Sequence, residues 1–431
     1  MPATHATISP GSRIAIVGAG ISGLATAYFL ARKHAVTLFE QGEYLGGHTN
    51  SVALTLDGFT HPVDTGFLVF NDRTYPNLIA LFAELGVEAH ASEMSFAVSA
   101  DNGRLEWAGS NLDTVFAQRG NLISPRFLGM LRDILRFNGQ AQANLAATQD
   151  NGETLGALLA REGYGRAFAD DYLLPMAAAI WSAPTGDVLA FPAQTFLRFC
   201  QNHGLLQIEN RPQWRSVKGG GREYVARIAS TLHDVRLGCA ITDVRRDESG
   251  ARLRHAGGEE RFDAIVLAGH APDSLAMLRD ADDEERALLG AVRYQDNVAW
   301  LHSDPALLPR RKKVWSAWNY LGRTGESGKR AVCVSYLINR LQRLPFRQPV
   351  VVTLNPWERP AAALTHGCYR YAHPLIDGPT SAAQARLPDL QGRRRTWFAG
   401  AWTGYGFHED GLKSALRVVQ DFGCLPNWAR L

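Results

Sequence analysis

The pattern of apolar and polar residues at the start of the chain predicts, in order, a strand, a glycine-rich turn, a helix and a second strand. Residues 13–17 (RIAIV) and 35–39 (AVTLF) are short apolar runs typical of buried strands. Residues 24–33 (LATAYFLARK) have apolar positions at helical spacing. The intervening sequence GAGISG, residues 18–23, predicts a tight turn into that helix. The pattern therefore predicts a β-α-β unit.

The rest of the chain separates into a helical part and a β-rich part. Helical spacing appears at Tyr75–Leu85 and Phe127–Phe137. Strand-like runs are expected at Asp263–Ala268, Val314–Tyr320, Ala331–Ile338, Val350–Leu354 and Trp397–Gly400. This arrangement predicts an α/β fold with a second, mixed α+β region.

The glycine turn has the chemistry of a dinucleotide site. Gly18 permits the tight turn, Gly20 lets the backbone approach a pyrophosphate, and Gly23 allows close packing of helix on strand. The second strand ends at Glu40, where an acid that holds ribose hydroxyls is expected. A pyrophosphate would lie at the positive end of the helix. The expected contacts are Gly18, Gly20, Ile21, Ser22, Gly23, Glu40 and Gln41.

Three further segments favour FAD over NAD through a family resemblance. Residues 46–49 (GGHT) resemble the second glycine motif of the FAD-binding amine oxidase and protoporphyrinogen oxidase superfamily, in which arginine usually stands at the position of His48. The resemblance implies that Gly46, Gly47 and His48 contact FAD, with one phosphate contact missing or replaced. The second segment, residues 235–244 followed by the strand at 263–268, resembles the middle return of the chain to the FAD domain and implies that Ile241 covers the adenine. The resemblance also implies that the loop of Thr65, Gly66 and Phe67 passes the flavin N5 edge.

The third of these segments, Trp397–Ala415, resembles the last part of the superfamily's FAD domain. A helix is expected to begin near Asp410, a good N-terminal acid for a helix. By the resemblance, Asp410 is an expected cofactor contact, and the backbone N–H groups of Gly411 and Leu412 face the isoalloxazine and favour the reduced flavin.

The strand before that helix ends at Gly400. The superfamily usually has an acid after this glycine to bind the ribityl chain. Ala401 and Trp402 stand there instead. Gly400 and Ala401 remain expected cofactor contacts, and the ribityl chain must be bound in another way.

Motifs over nearly the whole chain are similar to bacterial FAD/NAD-binding oxidoreductases whose genes accompany cyclopropane-fatty-acid-synthase-like methyltransferases. The segments that carry the similarity include residues 46–49, 174–182, 202–206, 211–214, 219–221, 318–320, 335–342, 354–356 and 404–414. The resemblance implies a Rossmann-type FAD-binding domain of the amine-oxidase-like class, interleaved with a mixed α+β substrate domain. We expect the FAD domain at 12–75, 215–285 and 390–425, and the substrate domain at 76–214 and 286–389.

Charge and cysteine content narrow the possible functions. The net charge of +3 is too small to indicate nucleic-acid binding. The five cysteines form no CxxC pair, which excludes a redox-active disulfide of that type and gives no metal pattern. Residues 1–12 lack an apolar signal core and no run of about 18 apolar residues occurs, so we expect a cytoplasmic protein.

One complete dinucleotide motif is present, so no second nicotinamide domain feeds electrons in. This favours a dehydrogenase, desaturase or oxidase that takes hydride from a hydrophobic substrate such as a fatty-acyl chain. A flavin amine oxidase is the alternative. Amine oxidases place a lysine near flavin N5, and residues 293–302 contain Asn297 near that place and no lysine. A non-catalytic FAD-binding partner of a lipid methyltransferase is the third possibility.

Candidate catalytic residues lie in the C-terminal turn. His408 can accept a proton near neutral pH, or it only holds the turn. Trp402 and Tyr405 belong to a glycine-interleaved aromatic cluster that is expected to line a pocket. Five residues of the substrate domain could line the opposite wall, although ordinary burial is the simpler interpretation: Trp181, Asn202, His203, Trp318 and Tyr320.

Membrane contact is a further possibility. Residues 118–144 have arginines interleaved with apolar residues, a pattern of a helix that packs on a core or lies on a membrane. The basic runs Arg310–Lys313 and Arg393–Arg395 are either solvated loops or contacts with an anionic membrane surface or an acidic substrate. The expected localisation is therefore cytoplasmic or peripheral at the inner membrane face.

Overall fold

A computed structural model describes residues 8–149, 152–181, 188–207, 210–324 and 330–431. The strands are β1 Arg13–Val17, β2 Ala35–Phe39, β3 Ser51–Leu56, β4 Phe59–Asp64, β5 Phe70–Asn71, β6 Ala89–Ala91, β7 Phe96–Ala100, β8 Leu105–Ala108, β9 Trp214–Val217, β10 Asp234–Arg236, β11 Asp243–Asp247, β12 Gly250–His255, β13 Gly258–Phe262, β14 Ala264–Leu267, β15 Tyr294–His302, β16 Trp318–Thr324, β17 Arg330–Leu337, β18 Val351–Leu354, β19 Thr365–Pro374 and β20 Thr396–Phe398.

Helices connect and cover these strands. The α-helices are α1 Ile21–Leu30, α2 Pro76–Leu85, α3 Leu112–Val115, α4 Pro125–Ala147, α5 Leu155–Arg161, α6 Arg166–Phe168, α7 Leu174–Trp181, α8 Ala193–Asn202, α9 Arg222–Ala229, α10 Ala271–Met277, α11 Asp283–Gly290, α12 Ile338–Leu341, α13 Gly378–Arg386 and α14 His408–Asp421. Among the described residues, none of the helices has the length and apolar character needed to cross a membrane.

A five-stranded parallel sheet forms the base of the predicted dinucleotide domain. Its strand order is β10-β2-β1-β14-β20, and every neighbouring pair is parallel. The predicted β-α-β unit is present as β1, α1 and β2. The strands near 263–268 and 397–400 are present as β14 and β20, one or two residues shorter than predicted.

Both faces of this sheet are buried, as expected for parallel strands. Ile14 and Ile16 point into one apolar core, together with α1 and α14, whereas Ala15 and Val17 point into a second core on the opposite face. Because successive side chains of β1 point to opposite faces of the sheet, this one strand contributes to the apolar core on each side.

A seven-stranded sheet forms the second region, in the order β19-β15-β18-β17-β16-β7-β8. Its pairs are antiparallel except for β16 with β7, which is parallel. Of the predicted run at 314–320, only residues from Trp318 onward are a strand, because Lys312–Val314 form a 3-10 turn. The helical segment predicted around Phe127 is the 23-residue helix α4.

The packing differs from the predicted domain boundaries at three places. Helix α2 buries Leu78, Leu81 and Phe82 in the same core as α1, so the first FAD-domain segment continues to about residue 85. Helices α11 and α13 pack in the core on the other face of the parallel sheet. These helices were expected mostly in the substrate domain. Their apolar faces pack on the parallel sheet. The sequence pattern shows that a helix has an apolar face, but it does not show which of the two sheets that face covers.

Two arginines of the run Arg393–Arg395 form ion pairs with the start of α11. Arg394 pairs with Glu285 at 2.6 Å, and Arg393 pairs with Asp282 at 2.7 Å. Glu285 also pairs with the fully buried Arg246 of β11 at 2.6 Å. Arg393 and Arg394 therefore tie this run to α11 at a partly exposed position, whereas the pair of Arg246 and Glu285 that joins β11 to α11 is buried.

Candidate functional site

The three glycines of the first turn have different tasks. Gly18 has a φ of +101°, which favours glycine, and its N–H donates to the carbonyl of Phe39 at 2.8 Å. A Cβ at Gly23 would lie 1.8 Å from the Gly18 carbonyl oxygen, so Gly23 permits the close packing of α1. A Cβ at Gly20 would meet no protein atom within 4 Å. Gly20 therefore borders open space.

Glu40 fixes the turn to the end of β2. Its two carboxylate oxygens accept hydrogen bonds from the backbone N–H groups of Ala19 and Gly42, each at 2.8 Å. Each oxygen keeps acceptor capacity beyond this bond, since an ionised carboxylate offers about four acceptor sites. The side chain can therefore brace the turn and still accept hydroxyl donors.

A cavity of about 740 Å³ runs from this turn to the seven-stranded sheet. Most of the predicted cofactor contacts line it: Gly18, Gly20, Ile21, Ser22, Glu40, Gln41, Gly46, Gly47, His48, Thr65, Gly66, Phe67, Ile241, Gly400 and Ala401. The predicted catalytic residues Trp402, Tyr405 and His408 line it as well. The structure therefore brings together segments separated by nearly 390 residues of chain.

Gly411 and Leu412 do not take the predicted place. Helix α14 begins at His408, two residues before the predicted start. The Gly411 N–H therefore donates to the Phe407 carbonyl within the helix, and Leu412 is fully buried in the core. Gly411 instead allows close approach to α1, because a Cβ there would lie 2.8 Å from Ile21.

Two serines join the starts of α1 and α14. The Ser22 hydroxyl donates to the Gly411 carbonyl at 2.9 Å, and the Ser414 hydroxyl donates to the same carbonyl at 2.7 Å. Ser414 also accepts the N–H of Gly400 at 2.9 Å. The Gly400 turn is therefore held by α14.

Asp410 caps its own helix. Its carboxylate accepts the N–H of Phe407 at 3.0 Å, and burial raises the pKa of this carboxyl to about 6. The side chain does not border the cavity among the described residues. Its predicted role as a helix-start acid is confirmed by this geometry, and a direct cofactor contact stays a prediction.

His408 is held on several sides. Its Nε2 lies 2.8 Å from the Thr49 hydroxyl and 3.2 Å from the Tyr224 hydroxyl. Its ring stacks on Phe67 with centroids 3.6 Å apart. Burial lowers the pKa of His408 to about 3. The ring is therefore neutral at neutral pH and fixes the Phe67 loop.

A cluster of three histidines also borders the cavity. The ring of His48 lies 5.2 Å from that of His373 and 6.5 Å from that of His270. Burial, followed by the charge of His373, lowers the pKa of His48 to about 3, and burial lowers that of His373 to about 4. Sequence reasoning missed His270 and His373, because only the fold brings them to His48.

The loop of Thr65, Gly66 and Phe67 is pinned from both ends. The Thr65 hydroxyl lies 2.7 Å from the Tyr371 hydroxyl, and the Phe67 N–H donates to the His48 carbonyl at 2.8 Å. A Cβ at Gly66 would lie 2.2 Å from that same carbonyl oxygen. Glycine is therefore required where this loop crosses the His48 turn.

The end of the cavity away from the glycine turn is mainly apolar. Of the residues proposed for its wall, His203 and Trp318 line it, whereas Asn202 and Tyr320 do not. The side chain of Trp181 lies outside the described part of the structure. Sequence reasoning missed the aliphatic and aromatic majority of the wall: Met94, Ile180, Phe199, Leu205, Trp214, Tyr336 and Leu354.

Comparisons with known proteins support this architecture. A family model described as an NAD(P)-binding Rossmann-like domain matches residues 16–85. The chain is similar over 96% of its length to a fatty acid isomerase that produces CLA from P. acnes, with 16% identity, all of that chain covered and a TM-score of 0.67. No curated protein sequence matches it.

Two other solved structures are also similar to this chain over nearly its whole length. Cyclohexylamine oxidase from Brevibacterium oxydans IH-35A is 18% identical over 96% of this chain and 100% of its own, with a TM-score of 0.66. A provisionally assigned protoporphyrinogen oxidase from Exiguobacterium sp. 255-15 is 18% identical over 96% and 99%, with a TM-score of 0.64. The chain has the amine-oxidase-like fold.

Within the amine-oxidase-like fold, β15 is the strand compared above with the lysine strand of amine oxidases. Its Asn297 is buried, with the side-chain amide 2.8 Å from His373 Nδ1. The Asn297 side-chain oxygen, Oδ1, accepts a hydrogen bond from the side-chain amide of Asn355 at 2.7 Å. Asn297 therefore orients His373, and no lysine lines the cavity among the described residues.

Proposed function

We propose that the cavity binds FAD and that the protein is an FAD-dependent oxidoreductase. The open space beside Gly20 and the left-handed Gly47 next to it form a cradle that a side chain would fill. Three buried nitrogens of cavity-lining residues, His48 Nε2, Trp318 Nε1 and Trp402 Nε1, have no hydrogen-bond partner among the described residues. Buried polar atoms are normally paired, so all three fit a bound ligand.

Each part of the cofactor has residues suited to hold it. The N-terminus of α1 and the backbone beside Gly20 would hold the pyrophosphate. Glu40 would accept ribose hydroxyls through its remaining acceptor sites, and the apolar Ile241 would cover the adenine. The bound flavin would supply hydride acceptance and return.

The substrate class that fits best is a hydrophobic molecule such as a fatty-acyl chain. The observation that carries this proposal is the apolar wall of Met94, Ile180, Leu205 and Leu354. Among the described residues, the carboxylates that line the cavity are Glu40 and Asp273, which lie with the dinucleotide-binding segments. An ammonium group in the apolar part would lose its hydration without an acid to compensate. The likeness to a fatty acid isomerase supports the same class.

An amine is the second candidate, on a separate observation. Tyr405 and Phe407 line the cavity close to Phe199, whose ring stacks on that of Phe407 at 5.1 Å. Aromatic faces attract cations and can hold an amine without a carboxylate. The likeness to cyclohexylamine oxidase supports this candidate. A non-catalytic partnership with a lipid methyltransferase is the remaining proposal.

Anaerobic reduction of the bound flavin tests these candidates. Purified protein is mixed with phospholipids that carry unsaturated, methylated or cyclopropane acyl chains, and separately with primary amines and polyamines. We expect loss of the visible flavin band with an acyl lipid and none with amines. Bleaching by amines alone would establish the second candidate, and bleaching by neither class would favour the non-catalytic partner.

A further inference from the structure

Large apolar side chains are exposed together on one part of the substrate region. Five of the nine large hydrophobic side chains exposed by the described residues come from the short stretch 112–135: Leu112, Leu122, Ile123, Leu128 and Leu135. Ile123 is 85% exposed and Leu112 is 77% exposed. Exposed apolar side chains are normally scattered, and clusters mark interaction sites.

The elements that carry these side chains are joined to one another. The 3-10 turn Arg119–Ile123 leads directly into α4, and Leu128 and Leu135 lie two helical turns apart on the exposed face of α4. Arg119 pairs with Asp113 of α3 at 2.7 Å, which joins α3 to the turn. We call the surface formed by residues 112–135 the α3–α4 surface.

Exposed cations lie on this surface and beside it. Asp113 also pairs with Lys313 at 2.5 Å, which places the exposed run Arg310–Lys313 beside α3. Arg132 is 80% exposed, between Leu128 and Leu135 on the same face of α4. The second acid of the stretch, Asp133, is buried. The exposed charge here is therefore predominantly positive.

We propose that the α3–α4 surface binds the surface of an anionic lipid bilayer. Apolar side chains that enter the headgroup boundary, flanked by lysine and arginine, are the combination that holds a protein at a lipid interface. Each cation near an anionic membrane strengthens binding about fivefold. The inference goes beyond the proposed function, because lipid binding at this surface requires neither flavin nor turnover.

Vesicle co-sedimentation of the full-length flavin-loaded protein tests the proposal. We expect the protein to sediment with vesicles of phosphatidylglycerol and phosphatidylethanolamine, and at least tenfold less with pure phosphatidylcholine. The double substitution Leu122→Asp and Ile123→Asp should lower binding at least tenfold. Phe59→Asp, at an apolar side chain 56% exposed elsewhere, is the matched control and should bind like the wild type.

Charge is tested separately. Lys312→Gln with Arg132→Gln should lower binding about twentyfold, whereas Arg245→Gln on β11 should not change it. Equal binding by the Leu122→Asp/Ile123→Asp variant and its control would overturn the proposal, as would wild-type protein that stays in solution. A dimer that this double variant disrupts, without vesicle binding, would assign the surface to a second copy of the chain instead. A thermal melt confirms that every variant is folded.

Discussion

Gly20 and Gly23 are three residues apart, yet the absence of a side chain matters at the two positions for opposite reasons. At Gly23 the space is occupied by the backbone of the turn, so any side chain would force α1 away from β1. At Gly20 the space is empty of protein atoms, and the backbone is extended, with φ −69° and ψ −177°. A side chain at residue 20 therefore competes with a ligand and not with the fold.

Gly20→Val should consequently separate cofactor binding from folding. We expect at least tenfold weaker FAD binding by the apoprotein, measured by quenching of flavin fluorescence, while the melting temperature of the apoprotein changes by about 2 °C or less. Gly129→Ala, at a glycine of α4 with equal room for a Cβ, is the control and should bind FAD normally. Normal FAD binding by Gly20→Val would show that the cradle lies elsewhere.

His408 makes the stability of the protein depend on pH. Its pKa is about 3 in the folded protein and about 6.5 in an unfolded chain, so between these values only the unfolded state binds the proton. The free energy of unfolding should therefore fall as the pH falls below about 6.5, by about 1.4 kcal/mol per pH unit for this residue.

His408→Gln should remove that contribution while it keeps a polar group near Thr49. Urea unfolding at several pH values between 4 and 6 would measure the slope, which should be smaller by about 1.4 kcal/mol per pH unit. His233→Gln, at an exposed histidine, controls for loss of a histidine. An unchanged slope for His408→Gln would mean that the ring is protonated in the folded protein.

Helices α2 and α14 are joined by a carboxylate that the sequence does not reveal. Glu409 accepts the N–H of Asn77 at 3.1 Å and the N–H of Leu78 at 2.9 Å, so it caps the start of α2 from the start of α14. The Asn77 side chain adds a third bond at 2.7 Å. These bonds are buried, and a buried bond is costly to leave unmade.

Glu409→Gln should lower the free energy of unfolding by about 2 kcal/mol, because an amide N–H₂ would replace one of the two acceptor oxygens. The midpoint of urea unfolding measures this loss. Glu223→Gln, in the first turn of α9, exchanges a partly exposed carboxylate in the same way and should cost about 0.5 kcal/mol or less. Equal losses for the two variants would show that Glu409 does not cap α2.

The sequence correctly predicts those elements whose defining residues lie close together in the chain. The unit β1–α1–β2, its glycines and Glu40 follow from apolar runs and spacing within 28 residues. The start of α14 was misplaced by two residues, because Asp410 serves as the third helical residue and its carboxylate reaches back to Phe407. A capping acid can be either the N-cap residue or the third residue of a helix, so composition alone does not decide where the helix begins.

The other residues of the site come together only through contacts between distant parts of the chain. His373 comes to the cavity through the pairing of β19 with β15, where Asn297 is opposite Tyr371. Such a pairing joins residues about 75 positions apart and leaves no periodic signal near either one. The apolar wall likewise gathers Met94, Leu205 and Leu354 from separate elements. Sequence reasoning could therefore predict the cofactor end and not the substrate end.

At the scale of the molecule, two regions interleave around one cavity, and our account requires that FAD fills its glycine-lined end. The most direct measurement is the amount of FAD released from the purified, FAD-reconstituted protein on denaturation, identified by chromatography. We predict about one FAD per chain, bound without a covalent link, and strongly reduced release from Gly20→Val. A wild-type protein that retains no FAD after reconstitution would contradict the account.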